Sequence, residues 1–267
     1  MRNQRPGLVI AVFVVGVVLS GSSPAATEVI VVGTVHDPTR NFSRKALDEL
    51  LAGLRPDVLL LELDSSYFDD SFELREQFRR ITQENNAAVA LRASSGVALR
   101  PYDIEGRNRF FEEHDYFNRE QRLYQALHRL HEDGALCDEA RATFEALMAA
   151  ARVRDAFMAE RLEVINSAAC DAALEMKHRY AFTGLARVVE LTPELAECKD
   201  FVKLSDEFWR RRNDAMVMNI LEHARDFAGK RIVVLCGLEH RGYLRSRLTE
   251  RAAQEGLVVR EFWELGR

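Results

Sequence analysis

EVIVVGTVH, residues 28–36, and RIVVLCGLEH, residues 231–240, decide how this chain is read. Each is a run of β-branched and aliphatic residues that ends at a glycine, two further residues and a histidine. A run that is apolar at every position, without alternation, predicts a strand covered on both faces, as in a parallel sheet flanked by helices. Open parallel sheets bind ligands beyond the carboxyl ends of their strands. If both strands belong to one such sheet, His36 and His240 fall on the same rim, although about two hundred residues separate them.

The intervening sequence supports that placement. Residues 43–57 carry Ala46, Leu47, Leu50, Leu51 and Leu54 at helical spacing, with Pro56 just past the last of them, where a helix is expected to stop. VLLLELD (residues 58–64) reads as a second buried strand, so strand, helix and strand form one crossover unit. A helix over residues 71–91 and a short strand over 98–104 continue the alternation. From about residue 107 to 228 the period is helical throughout, broken only at HEDG, TGLA and LTPE. The strand at 231–240, a helix over 243–256 and a strand over 257–264 then restore the first pattern. The expected fold is α/β: a mostly parallel sheet with flanking helices and a large helical insertion, in one domain spanning residues 26–267.

Composition narrows the function. The chain has 267 residues, 47% of them hydrophobic, which is ample for a buried core. Its net charge is −5 and no basic stripe occurs, which argues against a nucleic-acid partner. Residues 1–25 form a separate unit. Arg2 and Arg5 precede an apolar run over residues 8–19, and Ser23 with Ala25 supply a cleavage site, the layout of a secretory signal peptide. The apolar run is shorter than the roughly 20 residues of a spanning helix. Export to a periplasm or to the medium is therefore expected. An uncleaved N-terminal membrane anchor stays open, because charge is absent from Pro6 to Thr27. Cys137, Cys170, Cys198 and Cys236 are too far apart for a metal or redox C-x-x-C motif, and sequence does not choose among their three possible pairings. Cys236, inside a strand, reads as a small buried hydrophobe. Nothing in the sequence reports an oligomeric state.

The residues able to carry chemistry cluster at strand ends. His36, Glu62, Asp64, Asp103 and His240 all lie at or just beyond one. Two histidines and a carboxylate can hold a divalent ion that activates water. Each residue also has a structural reading, as a hydrogen-bonded His or half of an ion pair. Glu62 is the hardest to read that way, since a carboxylate in an apolar strand is costly unless it is paired. In FWRRRNDAMVMNIL (residues 208–221), three arginines precede Asn213 on a predicted helix. Arg210 and Arg211 suit a solvated face. Arg212 or Asn213 can point into the cleft to hold a carboxylate or steady an oxyanion. His128 and His131 in HRLHEDG read as surface residues, and no G-x-S-x-G, Walker A or G-x-G-x-x-G motif occurs.

In order, GTVH (residues 33–36), RPDVLLLELD (55–64), RNDAM (212–216) and GLEH (237–240) resemble the motifs of the TraB/PrgY/TIKI proteins. That family lies within a wider group that includes erythromycin esterases and haem-binding ChaN proteins. The resemblance covers both ends of the mature chain, while the helical middle matches in character alone. RGYL, which follows the last motif, is a charged continuation where the family more often has a small apolar one. The resemblance implies a metal-dependent hydrolase, peptidase-like as in TIKI proteins, with Mn, Co or Zn as its ion and a peptide or small molecule as substrate. It implies His36 and His240 as metal ligands and Glu62 as ligand or general base. Arg212 and Asn213 would be catalytic or oxyanion contacts, with Asp64, Asp103 and Arg212 near substrate. The same fold would also suit a metal-free esterase, in which one His is the base and Glu62 its partner. A third reading is a non-catalytic protein that binds haem or a peptide.

Overall fold

The computed structural model describes residues 26–265. The signal-peptide and anchor expectations therefore lie outside the described residues. Five strands form one all-parallel sheet: β1 (Thr27–Thr34), β2 (Val58–Leu61), β3 (Ala98–Pro101), β4 (Arg231–Gly237) and β5 (Leu257–Arg260), in the order β3-β2-β4-β1-β5. The α/β fold with its large helical portion is as expected from sequence. β4, last but one in the chain, pairs with both β1 and β2 and so occupies the centre.

Helices cover both faces of the sheet. Ile30, Val32, Leu59, Leu61 and Leu235 share one apolar cluster with α1 (Arg44–Leu54) and α2 (Gln83–Ser95). Val29, Val31, Leu60, Ile232 and Val234 share the other with α9 (Lys199–Asp226) and α10 (Leu238–Glu255). This two-sided cover explains why the central strands lack alternation. Local signals set the helix ends. The Ser43 hydroxyl accepts from the Ala46 amide at 3.3 Å and the Thr82 hydroxyl from the Asn85 amide at 3.1 Å, each closing a helix N-terminus.

Between β3 and β4 lies the helical portion. It comprises α3 (Arg107–Glu113), α4 (Tyr116–Glu132), α5 (Asp138–Met158), α6 (Leu162–Ile165), α7 (Ala168–Arg179), α8 (Leu185–Leu191) and the long α9. It has an apolar cluster of its own, built on Leu127, Phe144, Val188 and Phe201. No helix among the described residues is long and apolar enough to cross a membrane. All four cysteines are free thiols, and Cys236 is 1% exposed in the sheet, a small buried hydrophobe as expected.

Several boundaries differ from the sequence expectation: the strands expected over 58–64, 98–104 and 257–264 stop at Leu61, Pro101 and Arg260. The helix expected from residue 71 begins at Gln83; the preceding residues form turns, in which Asp69 Oδ1 accepts from the amides of Ser71 and Glu73. Such side-chain capping competes with helix formation. The TGLA break is instead a π-helical turn, Tyr180–Gly184, that leads without interruption into α8. The last strand-like run stops at Gly237, and winding resumes at Leu238, so His240 lies in the first turn of α10.

The two Gly-x-x-His endings are thus built differently. After His36, Pro38 keeps Asp37 out of helical conformation, so the chain leaves β1 as a loop. After Gly237, LEHRGYL continues as helix. The glycines also do different things. A Cβ on Gly33 would meet Arg241 Cδ at 3.0 Å and Leu238 Cα at 3.3 Å, so Gly33 admits the first turn of α10 against β1. A Cβ on Gly237 would sit 3.5 Å from both Glu62 Oε2 and His36 Nε2, so Gly237 keeps a space open between those two groups.

Candidate functional site

The chain leaves β1 toward β2 on one side and leaves β4 toward β5 on the other. The carboxyl ends of β1 and β4 therefore flank the reversal of strand order, where open α/β sheets form their crevice. A small pocket opens there, lined by Thr34, His36, Glu62, Glu84 and Gly237, with about 40 Å³ open to water centres. That is room for one or a few waters.

Glu62 is the hub. Its Oε1 accepts from Arg212 Nη2 at 2.6 Å and lies 3.5 Å from His240 Nε2, and its Oε2 accepts from the Gly237 amide at 2.6 Å. Burial alone would raise its pKa. The charges of His240, Arg212 and His36, with the Gly237 amide, outweigh burial and bring it down to about 2, so Glu62 is a carboxylate at neutral pH. His240 lies by Oε1, and His36 Nε2 borders the same space over Gly237 as Oε2.

Arg212 ties the cluster together. Its Nε and Nη2 grip Asp103 Oδ1 and Oδ2, each at 2.8 Å, and its Nη1 lies 3.2 Å from His240 Nε2. A guanidinium has five N–H bonds. Four are used on these partners, which leaves one on Nη1. Asp103 is fully buried and also takes Arg107 Nη1 at 2.8 Å and the Ile104 amide at 2.8 Å. Two arginines and an amide saturate its carboxylate. Asp103 therefore aims Arg212 rather than facing a ligand.

His240 is held by α9. Its Nδ1 lies 2.8 Å from Asn213 Oδ1, while Asn213 Nδ2 donates to Trp209 O at 2.8 Å. An amide oxygen accepts only, so Nδ1 carries the proton and Nε2 is an acceptor turned to Arg212. Trp209 stacks on the ring, with centroids 4.5 Å apart at 20°. Burial pushes the His240 pKa down to about 4 against the pull of Glu62, so the ring is neutral at pH 7.

His36 is the accessible member, with a side chain 61% exposed. Its Nδ1 lies 3.4 Å from Glu84 Oε1, which also accepts from the Thr34 hydroxyl at 2.5 Å. The bond to Glu84 raises the His36 pKa against a smaller effect of burial. With Nδ1 on Glu84, Nε2 faces the space over Gly237 beside Glu62 Oε2.

Of the residues singled out from sequence, His36, Glu62, Arg212, Asn213, Asp103 and His240 come together. Asp64 does not. It caps the short turn Ser65–Tyr67, accepting from the Ser66 amide at 3.1 Å and from the Ser66 hydroxyl. Asn213 is fully buried and spent on His240, which makes it a support for the ring and not an oxyanion contact. His131 bonds Glu145 on the surface of the insertion, remote from the cluster in sequence and partners. Sequence reading passed over Glu84, Arg107 and Trp209. Glu84 has the look of a first-turn acid that complements a helix dipole, and Trp209 that of a core aromatic.

His240 does not join His36 and Glu62 as a third donor around one point in this arrangement. The Nε2 lone pair of His240 faces the Arg212 guanidinium at 3.2 Å, so His240 is not turned toward the space that His36 Nε2 and Glu62 Oε2 border. Among the described residues no group of three or more His, Cys, Asp or Glu is arranged to hold a metal. Compared with known proteins, the chain matches no family model, no curated protein and no solved structure, so the family resemblance rests on the four motifs alone.

The buried ionic cluster sets an acid limit on stability. His240 has a folded pKa below its ordinary 6.5, so the folded state resists protonation and stability falls as pH drops from 6.5 toward 4. Glu62 is also depressed, so its contribution is lost lower, from 4.5 toward 2. The urea midpoint is expected to be lower at pH 5 than at pH 7. His240→Gln should remove most of that difference, and an equal pH dependence in the variant would assign it elsewhere.

Proposed function

We propose that the protein is a hydrolase of carbonyl substrates, esters or peptide amides, in which His36 activates water without a metal ion. The observation that carries this reading is the pairing of His36 Nδ1 with Glu84, which leaves Nε2 facing a water-sized space beside Glu62. A water over Gly237 would give one proton to His36 Nε2 while Glu62 orients its other hydrogen. Its oxygen would bond to the carbonyl carbon, and the free N–H on Arg212 Nη1 would receive the charge that develops on the carbonyl oxygen. As the bond to the leaving group breaks, His36 would return its proton to that group. His240 and Asp103 act through Arg212, from opposite sides of its guanidinium.

A metal-dependent reading has one observation in its favour: His36 Nε2 and Glu62 Oε2 both border the same space. Turnover of chromogenic esters and of dye-labelled peptides, before and after chelation, separates the two. Turnover that survives chelation is expected. Loss on chelation with recovery on adding Mn, Co or Zn would replace the water-activation reading with the metal one. No turnover with either substrate class in any condition, with a Soret band on adding haem, would replace both with a binding protein.

A further inference from the structure

A second and larger cleft lies on the other side of Trp209, between α4, α7, the π turn and α9, with about 240 Å³ open to water centres. Trp209 is the shared wall: one side of the residue stacks on His240, and the residue also lines this cleft. Glu239, next in sequence to His240, lines it too. The remaining walls include the rings of Tyr116, Tyr124, Phe182 and Phe201 beside the aliphatic Leu123, Leu185 and Val202. Phe182 belongs to the π turn, a widening of the helix that tends to mark functional positions. Gly184, which ends that turn, packs so closely that a Cβ would meet Thr143 and Tyr180 at 3.2 Å.

The charges in this cleft do not balance. Lys177 reaches Glu239 at 3.1 Å, His178 reaches it at 2.7 Å and Arg154 at 3.6 Å, so Glu239 is matched. Glu120 is not. It lines the cleft with Tyr116, Leu123 and Tyr124, and among the described residues it makes no ion pair; Lys177, which acts on its charge, is held by Glu239. A half-buried carboxylate without an ion pair among the described residues, in a cleft it shares with Tyr116, Tyr124 and Trp209, matches the recognition chemistry of an organic cation: a counter-charge and π systems together.

We propose that this cleft binds an alkyl- or arylalkylammonium group carried on an apolar stem, with Glu120 as counter-ion and Trp209, Tyr116 and Tyr124 as its aromatic walls. Assigning that cation to the substrate, as the group that docks beside the cleaved bond, rests on the hydrolase reading; the binding itself does not. The substrate class that follows is a carbonyl compound with a basic amine on a neighbouring side chain.

Binding is read directly from Trp209 fluorescence in a Trp263→Phe background, which leaves Trp209 as the one indole. Phenethylamine, 2-phenylethanol and 3-phenylpropanoate differ chiefly in charge. Saturable binding of phenethylamine about tenfold tighter than the alcohol is expected, with the carboxylate weakest. Glu120→Gln should bring amine and alcohol to the same affinity, with the folded far-ultraviolet spectrum unchanged. Equal binding of amine and alcohol by the parent, or tighter binding of the carboxylate, would overturn the proposal whether or not the variant folds. So would a tenfold preference that survives Glu120→Gln. His36→Gln should bind the amine as the parent does, so failure of the hydrolase reading leaves this result standing.

Discussion

Arg212→Met is expected to lower the unfolding free energy by about 3–5 kcal/mol, the usual cost of removing one partner from a buried ion pair. In a chain of this size that is a fall in Tm on the order of 10 °C. The parent holds two carboxylates around one guanidinium, Glu62 at 12% side-chain exposure and Asp103 at 0%. Without Arg212, Asp103 keeps Arg107 and the Ile104 amide, while Glu62 keeps only the Gly237 amide and a neutral His240 nearby. Glu62 is then the uncompensated charge. Two consequences separate this cause from lost packing. Arg212→Met with Glu62→Gln should be more stable than Arg212→Met alone, a coupling that a double-mutant cycle reads. The pH dependence should also change sign relative to the parent. A buried, unpaired Glu62 has a raised folded pKa, so the variant gains stability as pH falls, where the parent loses it. A thermal midpoint within a degree of the parent would show that the cluster does not hold the fold together.

The parts of the site legible in sequence are those where a residue type contradicts its local surroundings. Glu62 stands out because it ends a buried strand of Val and Leu, where a carboxylate is costly unless paired. Arg212 and Asn213 are the two inward candidates at the end of an arginine run. The phase of α9 resolves them: Arg210 and Arg211 are exposed, whereas Arg212 and Asn213 face inward with Met216 and Ile220. The strands were legible for the same reason as the sheet, since full burial on both faces erases alternation. Glu84 was not, because an acid in the first turn of a helix fits its local place without further explanation. Its meaning comes from β1 and α2 meeting, a contact that no local pattern encodes. Trp209 is the same case. A tryptophan on a long helix satisfies every expectation of a core residue, and its stack on His240 follows from how α9 lies beside α10. The late return of β4 to the centre of the sheet is what joins residues from both ends of the chain, and strand order is the feature sequence periodicity carries least.

His36→Gln is expected to reduce turnover by about 10²- to 10⁴-fold, the usual contribution of a positioned general base, with little effect on stability. The side chain is 61% exposed and, among the described residues, pairs with Glu84 alone, so its loss opens no buried cavity. The pH profile carries the sharper evidence. A base must be unprotonated, and the bond to Glu84 raises the His36 pKa above its ordinary 6.5. The parent rate should therefore climb with pH and level off only above that value. Glu84→Gln removes the negative charge that holds the proton on the ring. Its inflection should move to lower pH and its plateau rate should fall, because the ring also loses its alignment. His240 titrates at about 4 and Glu62 at about 2, both far below this limb, so neither can imitate the shift. A profile that is flat from pH 5 to 9, or one whose inflection is unmoved in Glu84→Gln, would remove His36 as the base. The search would then pass to Glu62, the other group that borders the same water.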